Sequence, residues 1–160
     1  MSLIDLSKQV ALGIDIGGTN TKFGVVNHRG EVLEKGSLRT DEYEKVEDFI
    51  EALYEQVQPL IEKYGTEKNF DGIGVGAPNA NYYKGTIEQA PNLPWKGLIP
   101  FSELMKAKFS LPCTITNDAN AAALGEMLFG AARGMKDFIM ITLGTGVGSG
   151  IISNGSLIYG

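Results

Sequence analysis

The order of predicted elements indicates an α/β fold with a mixed sheet. Three apolar, β-rich segments at residues 10–16, 21–26 and 31–38 are joined by short turns, which predicts an antiparallel meander at the start of the chain. Helical and strand patterns then alternate, which gives the order β-β-β-α-β-α-β-α. The glycine-rich turn of the opening segment also returns near residue 144, which indicates a second copy of the opening unit.

Apolar residues recur at helical spacing over residues 46–64 and predict an amphipathic helix. Asp41 together with Glu44 predicts a capping box in front of this helix. Pro59 lies inside the pattern and predicts a kink or a break. Gly65 predicts the end of the helix.

A long loop and five further elements are predicted after this helix. The segment at residues 78–100 is rich in Pro, Asn and Gly, and a loop of this length in a compact domain is usually functional or disordered. The patterns around it predict strands at 72–77, 114–117 and 137–143, and helices at 102–109 and 119–129.

The repeated texture predicts how the chain is divided into domains. Ile141-Thr142-Leu143-Gly144-Thr145-Gly146 resembles Ile14-Asp15-Ile16-Gly17-Gly18-Thr19, since both are a strand end followed by a glycine-rich turn and a glycine-led strand. We predict one domain over residues 1–134 and the opening strands of a second, similar domain over residues 135–160. We therefore expect the chain to be a truncated form of a longer protein.

Composition and charge narrow the range of partners. The chain has 160 residues, a formal net charge of -5 and a sequence pI of about 4.9, so we expect no nucleic-acid partner. It contains a single cysteine, Cys113, which rules out an internal disulfide and agrees with a cytoplasmic location. We see no signal peptide and no apolar run long enough to enter a membrane.

The first candidate site is the turn at Asp15-Ile16-Gly17-Gly18-Thr19-Asn20. Glycines allow consecutive backbone N–H groups to face an anion, while Thr19 and Asn20 add side-chain donors, so this turn is a candidate phosphate loop. Asp15 is a candidate ligand for Mg²⁺, directly or through water. The alternative is an ordinary β-hairpin turn.

A second candidate phosphate loop is formed by Gly144, Thr145 and Gly146. The run is not a Walker A loop, because no Gly-Lys-Ser/Thr follows, and it is not a dinucleotide fingerprint, because no helical pattern follows the glycines. The alternative is again a hairpin or linker. Two such loops, one opening each repeat, predict a phosphate chain held between two domains.

Asn117 and Asp118 stand between a predicted strand and an alanine-rich helix. Asp118 is a candidate general base that accepts a proton from a sugar hydroxyl as this hydroxyl attacks the γ-phosphorus of the donor. Its alternative role is a helix N-cap, and both roles can coexist. Asn117 is a candidate ligand for sugar hydroxyls.

The long loop supplies further candidates for sugar binding. Gly76, Pro78 and Asn92 lie at or after a strand end, near Trp95, and amides with one aromatic ring suit a polar sugar with apolar ring faces. The alternative is a packed surface loop.

Taken in order and spacing, these motifs resemble the ROK family of repressors, open reading frames and kinases, from about Val10 to Gly160. The resemblance implies an actin-like, RNase H-like fold whose two domains close on a hexose and ATP with Mg²⁺. It assigns Asp15, Gly17, Gly18, Thr19 and Asn20 to the first phosphate loop, Asn117 and Asp118 to the sugar ligand and catalytic base, and Gly144, Thr145 and Gly146 to the second phosphate motif.

The same resemblance implies a hexokinase-type phosphotransferase of carbohydrate metabolism. The motif set looks most like that of bacterial glucokinases, which convert glucose to glucose 6-phosphate in glycolysis. A homodimer is the family expectation, and a zinc site is expected with ligands outside this chain. Asn79 departs from the pattern, because many members have glycine there. Because part of the sugar site and most of the nucleotide site would follow Gly160, we expect the 160-residue chain alone to be inactive.

Two other classes of protein compete with the kinase. A sugar-sensing ROK regulator would carry a helix-turn-helix domain before the first phosphate loop, and the strand of this loop already begins near Val10. A non-catalytic actin-like scaffold would have no use for a base such as Asp118 at a sugar hydroxyl.

Overall fold

The computed structural model describes residues 9–64, 69–144 and 146–159. In chain order, its strands are β1 Val10–Ile16, β2 Asn20–Asn27, β3 Val32–Arg39, β4 Phe70–Gly76, β5 Ala80–Asn81, β6 Thr86–Glu88, β7 Leu98–Ile99, β8 Cys113–Thr116, β9 Phe138–Leu143, β10 Val147–Ser153 and β11 Ser156–Ile158. The helices are α1 Val46–Lys63, α2 Phe101–Phe109 and α3 Asp118–Phe129.

The main sheet has five strands in the order β3-β2-β1-β4-β8. The first three form the predicted antiparallel meander, and β4 and β8 add parallel strands. The registers pair Asp15 with Gly76, and Gly76 with Thr116. The carboxyl ends of β1, β4 and β8 therefore meet at one edge of the sheet, which is where ligands bind in open α/β sheets. The predicted mixed α/β sheet is confirmed.

One face of the main sheet carries the hydrophobic core. β1 alternates, with Leu12, Ile14 and Ile16 buried and Asp15 exposed. Buried side chains of α1 and α2, including Phe49 and Phe101, join the same core cluster. The side chain of Asp15 therefore points to the opposite face, which is the face occupied by α3.

Trp95 belongs to this core and does not face a ligand cleft. Its ring centroid lies 4.7 Å from that of Phe49 and 6.2 Å from that of Phe101. Its indole N–H donates to the carbonyl oxygen of Tyr43 at 3.0 Å, which satisfies the polar edge of a ring that is only 4% exposed. The interpretation of Trp95 as the aromatic wall of a sugar site is wrong, because its burial anchors the loop to α1 and α2.

Helix α3 packs between the main sheet and a second sheet of the order β11-β10-β9. A Cβ on Gly150 of β10 would lie 2.5 Å from Cβ of Ala123 and 2.6 Å from the carbonyl oxygen of Ala119. On the other side, a Cβ on Gly76 would lie 3.3 Å from Cβ of Ala121. Small side chains on the helix and glycines on both sheets thus allow a close approach on two sides.

Two sequence predictions about local structure differ from the structure. Helix α1 begins at Val46 after Lys45 and has no side-chain cap, so the capping box at Asp41 is wrong; Asp41 instead accepts hydrogen bonds from the guanidinium of Arg39 at 2.8 and 2.9 Å. The helix continues through Pro59, whose exposure lets water solvate the carbonyl that loses its partner. Gly65 lies outside the described residues.

The long loop at 78–100 contains a small sheet in the order β5-β6-β7. These strands have only two or three residues each, too few for a periodic pattern to be recognised in a sequence. The loop is thus a packed platform beside the carboxyl edge of the main sheet. None of the described helices is long and apolar enough to cross a membrane.

Cys113 is a buried thiol at the start of β8. Removal from water raises its pKa to about 11, because burial disfavours the thiolate. A thiol that keeps its proton at neutral pH is a poor nucleophile. We therefore expect 5,5′-dithiobis(2-nitrobenzoate) to label Cys113 slowly in the folded chain and rapidly in guanidinium chloride. Fast labelling of the folded chain would contradict this burial.

We predict that Gly150→Ala destabilises the chain by about 1–3 kcal/mol, because the added methyl group overlaps Ala119 and Ala123. Gly74→Ala is the matched control, since a Cβ at this exposed strand position meets no atom within 4 Å. Urea unfolding followed by circular dichroism measures both variants. Equal stability of the two variants would show that α3 and β10 are not closely packed.

Candidate active site

The loop between β1 and β2 is fixed at its base by backbone hydrogen bonds. The N–H of Gly17 donates to the carbonyl oxygen of Asn20 at 3.0 Å, and the N–H of Thr40 donates to the carbonyl oxygen of Thr19 at 2.8 Å. The buried hydroxyl groups of Thr21 and Thr40 form a hydrogen bond of 2.8 Å. The N–H groups of Gly18 and Thr19 form no hydrogen bond within the described part of the chain, so the tip retains donors for an anion.

Gly18 brings this loop into contact with the predicted sugar loop. A Cβ at position 18 would lie 2.5 Å from the carbonyl oxygen of Asn92 and 3.4 Å from its Cβ. Only glycine permits this approach, because backbone on both sides leaves no room to yield. The first candidate phosphate loop and Asn92 therefore meet directly.

Asn117 and Asp118 form the junction between β8 and α3. The side-chain oxygen Oδ1 of Asn117 accepts from the N–H of Ala119 at 2.9 Å, so Asn117 is the N-cap of α3. Asp118 is the first helical residue, and its Oδ1 also accepts from the N–H of Ala119, at 2.8 Å. Asn117, and not Asp118, is therefore the N-cap of α3. Within the described residues, the amide Nδ2 of Asn117 is a free donor, and the second oxygen of the exposed Asp118 carboxylate is unpaired.

A cleft of about 440 Å³ joins most of the predicted site residues. Its lining includes five residues on the main-sheet side, namely Gly18, Pro78, Asn92, Asn117 and Asp118, and the second-loop residues Gly144 and Gly146. A neighbouring recess of about 430 Å³ is lined by Asp15, Gly76, Asp118 and Thr142, among others. Gly17, Thr19 and Asn20 lie in the first loop and outside both linings, and Thr145 lies outside the described residues.

Asn79 lines the cleft at a position where glycine is expected, and it adopts the backbone conformation of a glycine. Its φ of 52° is in the left-handed region that glycine adopts freely and asparagine tolerates. Its Nδ2 donates to the carbonyl oxygens of Glu88 and Gln89 at 3.1 and 3.3 Å. The side chain thus holds the platform of β5 and β6 in place.

The second candidate phosphate loop is a tight turn between β9 and β10. The N–H of Gly144 donates to the carbonyl oxygen of Gly146 at 3.0 Å, so this donor is already paired in the conformation described. Thr142 and Gly148 flank the turn and also line the cleft. Gly148 belongs to the glycine-rich run that predicted this loop, whereas sequence reasoning missed Thr142, because threonine is an ordinary residue in strands.

The electrostatics of the recess suit a cation that is shared with phosphates. Asp15 and Asp118 both line it, yet the described residues hold no group of three or more His, Cys, Asp or Glu side chains placed to bind a metal ion. Mg²⁺ usually binds through one or two carboxylates plus waters and substrate phosphates. The donors present therefore fit Mg²⁺ held between the protein and a phosphate chain.

Comparison with known proteins places this arrangement in a family. The family model described as ROK family matches residues 11–160. A glucokinase of Halalkalibacterium halodurans is 34% identical over 97% of this chain and 47% of its own length. The xylose repressor of Caldicellulosiruptor bescii is 34% identical over 99% of this chain and 40% of its own length.

A solved structure has the same fold. The crystal structure of a ROK family glucokinase from Streptomyces griseus, in complex with glucose and AMPPNP, superposes with a TM-score of 0.80 at 36% identity, covering 94% of this chain and 46% of that one. The chain spans about half the length of the relatives that it matches. The fold is that of the actin-like ATPases, and the chain belongs to the ROK family.

Proposed function

We propose that the protein carrying this chain transfers the γ-phosphoryl group of ATP to a hexose, with glucose as the substrate and glucose 6-phosphate as the product. One observation carries the proposal. The carboxylate-bearing residue Asp118 lines both the cleft with Asn92 and the recess with Asp15. A general base must lie within hydrogen-bonding reach of the hydroxyl group whose proton it accepts, and the position of Asp118 between the two cavities supports this role.

The proposed reaction assigns each side chain a step. The amides of Asn92 and Asn117 bind sugar hydroxyls and orient the 6-hydroxyl towards the phosphoryl donor. Asp118 accepts the proton of this hydroxyl as the new O–P bond forms. The bond between the γ-phosphorus and the β,γ-bridging oxygen breaks, and ADP leaves with the electron pair.

Fixed hydrogen-bond donors would stabilise the negative charge of the phosphates. The tip of the first loop, at Gly18 and Thr19, offers unpaired N–H groups, and the second loop lies across the cleft at Gly144 and Gly146. Mg²⁺, held at Asp15, would neutralise charge on the phosphates. Because phosphoryl transfer involves little covalent chemistry by the protein, positioning and electrostatic stabilisation supply most of the rate enhancement.

The choice of glucose is supported by the relatives. The Halalkalibacterium halodurans protein and the Streptomyces griseus protein are both named glucokinases, and the second binds glucose and AMPPNP in its crystal structure. Hexoses differ in the orientation of single hydroxyl groups, so a panel of hexoses decides the substrate. We further propose a cytoplasmic homodimer with a zinc site outside this chain.

A second candidate is a sugar-sensing regulator without catalysis. It is favoured by the xylose repressor of Caldicellulosiruptor bescii, which matches this chain at 34% identity. A regulator needs sugar affinity and a conformational response, but no transfer from ATP. Sugar binding without turnover would therefore select this candidate.

We predict that the complete protein forms ADP in the presence of ATP, Mg²⁺ and glucose, and that Asp118→Asn lowers kcat roughly 100- to 10,000-fold, since a general base contributes about this much. Asp71→Asn is the matched control, because Asp71 is an exposed carboxylate near the opposite end of β4. A coupled assay of ADP release measures both. An Asp118→Asn enzyme as fast as the control would remove the proposed base.

We predict that the 160-residue chain alone releases no ADP with any hexose, because it spans about half of its relatives' length. The same assay tests this at high protein concentration, with the complete protein as the positive control. Hexose-dependent ADP release by the 160-residue chain would show that its own residues suffice.

We predict that Gly18→Ala raises KM for both glucose and ATP, because the added methyl group would displace the backbone of Asn92 and separate the two loops. Gly125→Ala on α3 is the matched control, since a Cβ there meets no atom within 4 Å. Steady-state kinetics with each substrate varied in turn measures the effect. A rise in only one KM would show that the loops act independently.

A further inference from the structure

Thr142 occupies the inward face of β9. Its neighbours on that face are Phe138 and Met140, which are half-buried, while Ile141 and Leu143 are exposed. The register pairs Thr142 with Gly148 across the hairpin. A Cβ on Gly148 would lie 2.6 Å from Oγ1 of Thr142. Because glycine has no Cβ, the hydroxyl group of Thr142 has room beside it.

Thr142 lies at the junction of the cleft and the recess. Among the residues that line the described cleft and recess, Asp118 and Thr142 are the two that they share. The cleft combines Asn92 and Asn117 of the proposed sugar site with Gly18, Gly144 and Gly146 of the two candidate phosphate loops. The recess contains Asp15, where Mg²⁺ is proposed to bind. A phosphoryl group that is held by both loops and by Mg²⁺ would lie where the cleft and the recess meet.

The hydroxyl group of Thr142 also lacks a local partner. No donor or acceptor in the described part of the chain forms a hydrogen bond with Oγ1. It therefore has a proton to donate to a ligand. By contrast, the buried hydroxyl groups of Thr21 and Thr40 bond to each other.

We propose that Thr142 is a further catalytic residue, whose hydroxyl donates a hydrogen bond to a non-bridging oxygen of the phosphoryl group during transfer. The inference rests on the proposed function. In a loose transition state, negative charge is spread over three equatorial oxygens, which fixed donors stabilise. Asp118 removes the sugar proton, and Thr142 keeps its own proton throughout, so the two residues have different roles.

Valine is a suitable probe, because it is β-branched like threonine and is also enriched in strands, but it has no hydroxyl group. Thr142→Ser restores the hydroxyl group without the methyl group. Thr114→Val is the matched control, since Thr114 is an exposed strand residue of β8 outside both cavities. Urea unfolding of all three variants confirms that the fold is kept.

Kinetics of the complete protein with glucose and MgATP is the first measurement. We expect Thr142→Val to lower kcat about 100-fold, as the loss of one transition-state donor does, with the KM for glucose unchanged. Thr142→Ser should recover most of the rate, and Thr114→Val should match the wild type. A Thr142→Val enzyme with wild-type kcat, or a Thr142→Ser enzyme as slow as Thr142→Val, would overturn the assignment.

A wild type that phosphorylates no hexose would overturn the proposed function itself. In that case, the affinity for nucleotides still tests the role of Thr142. Calorimetry then compares MgAMPPNP with MgADP, which differ by the terminal phosphoryl group. We expect Thr142→Val to weaken binding of MgAMPPNP about 10-fold, as loss of a hydrogen bond to a charged group does, and to leave MgADP unchanged. Equal effects on the two nucleotides would show that Thr142 does not contact the terminal phosphoryl group.

Discussion

The close packing of α3 between two sheets is the constraint on which the rest of the site depends. Ala119 and Ala123 face the glycines of β10, and Ala121 faces Gly76 of β4. Larger side chains at these contacts would move the second sheet away from the first. The helix is thus the element that sets the separation between the two candidate phosphate loops.

This packing determines the environment of Asp118. The residue stands in the first turn of α3, where the helix dipole favours a negative charge. Asn117 caps the helix, and Asp118 uses only one of its two carboxylate oxygens to accept from the N–H of Ala119. The start of the helix then faces the cleft on one side and the recess on the other. The junction between β8 and α3 therefore connects the cleft, which contains the proposed sugar ligands and phosphate-loop residues, to the recess that contains the proposed Mg²⁺ ligand Asp15.

Much of the fold could be predicted from the sequence because its signals are local. The apolar, β-rich run of β1 and the helical spacing in α1 each predict an element in nearly its observed place. Local sequence signals gave wrong predictions where contacts with other side chains determine the position of a residue. Trp95 is polar at one edge and aromatic, which suits a sugar site equally well, but Tyr43 and Phe49 hold it in the core. Asp41 resembles a cap, yet Arg39 binds it.

The candidate site could be predicted only in part for a related reason. Asn117 and Asp118 stand together in a recognisable motif, whereas Thr142 has no local signal. Its significance comes from Gly148 across the hairpin and from Asp118 on another element. Such a residue is found by its place in three dimensions, since threonine is common in strands.

The central claim is that the start of α3 serves both ligands. Amide-resolved NMR of the complete protein, titrated separately with glucose and with MgAMPPNP, tests it most directly. We expect the amide resonances of Asp118 and Ala119 to shift with each ligand, the resonance of Asn92 to shift with glucose and that of Asp15 to shift with MgAMPPNP. Resonances of Asp118 and Ala119 that respond to neither ligand, or to one alone, would contradict the account.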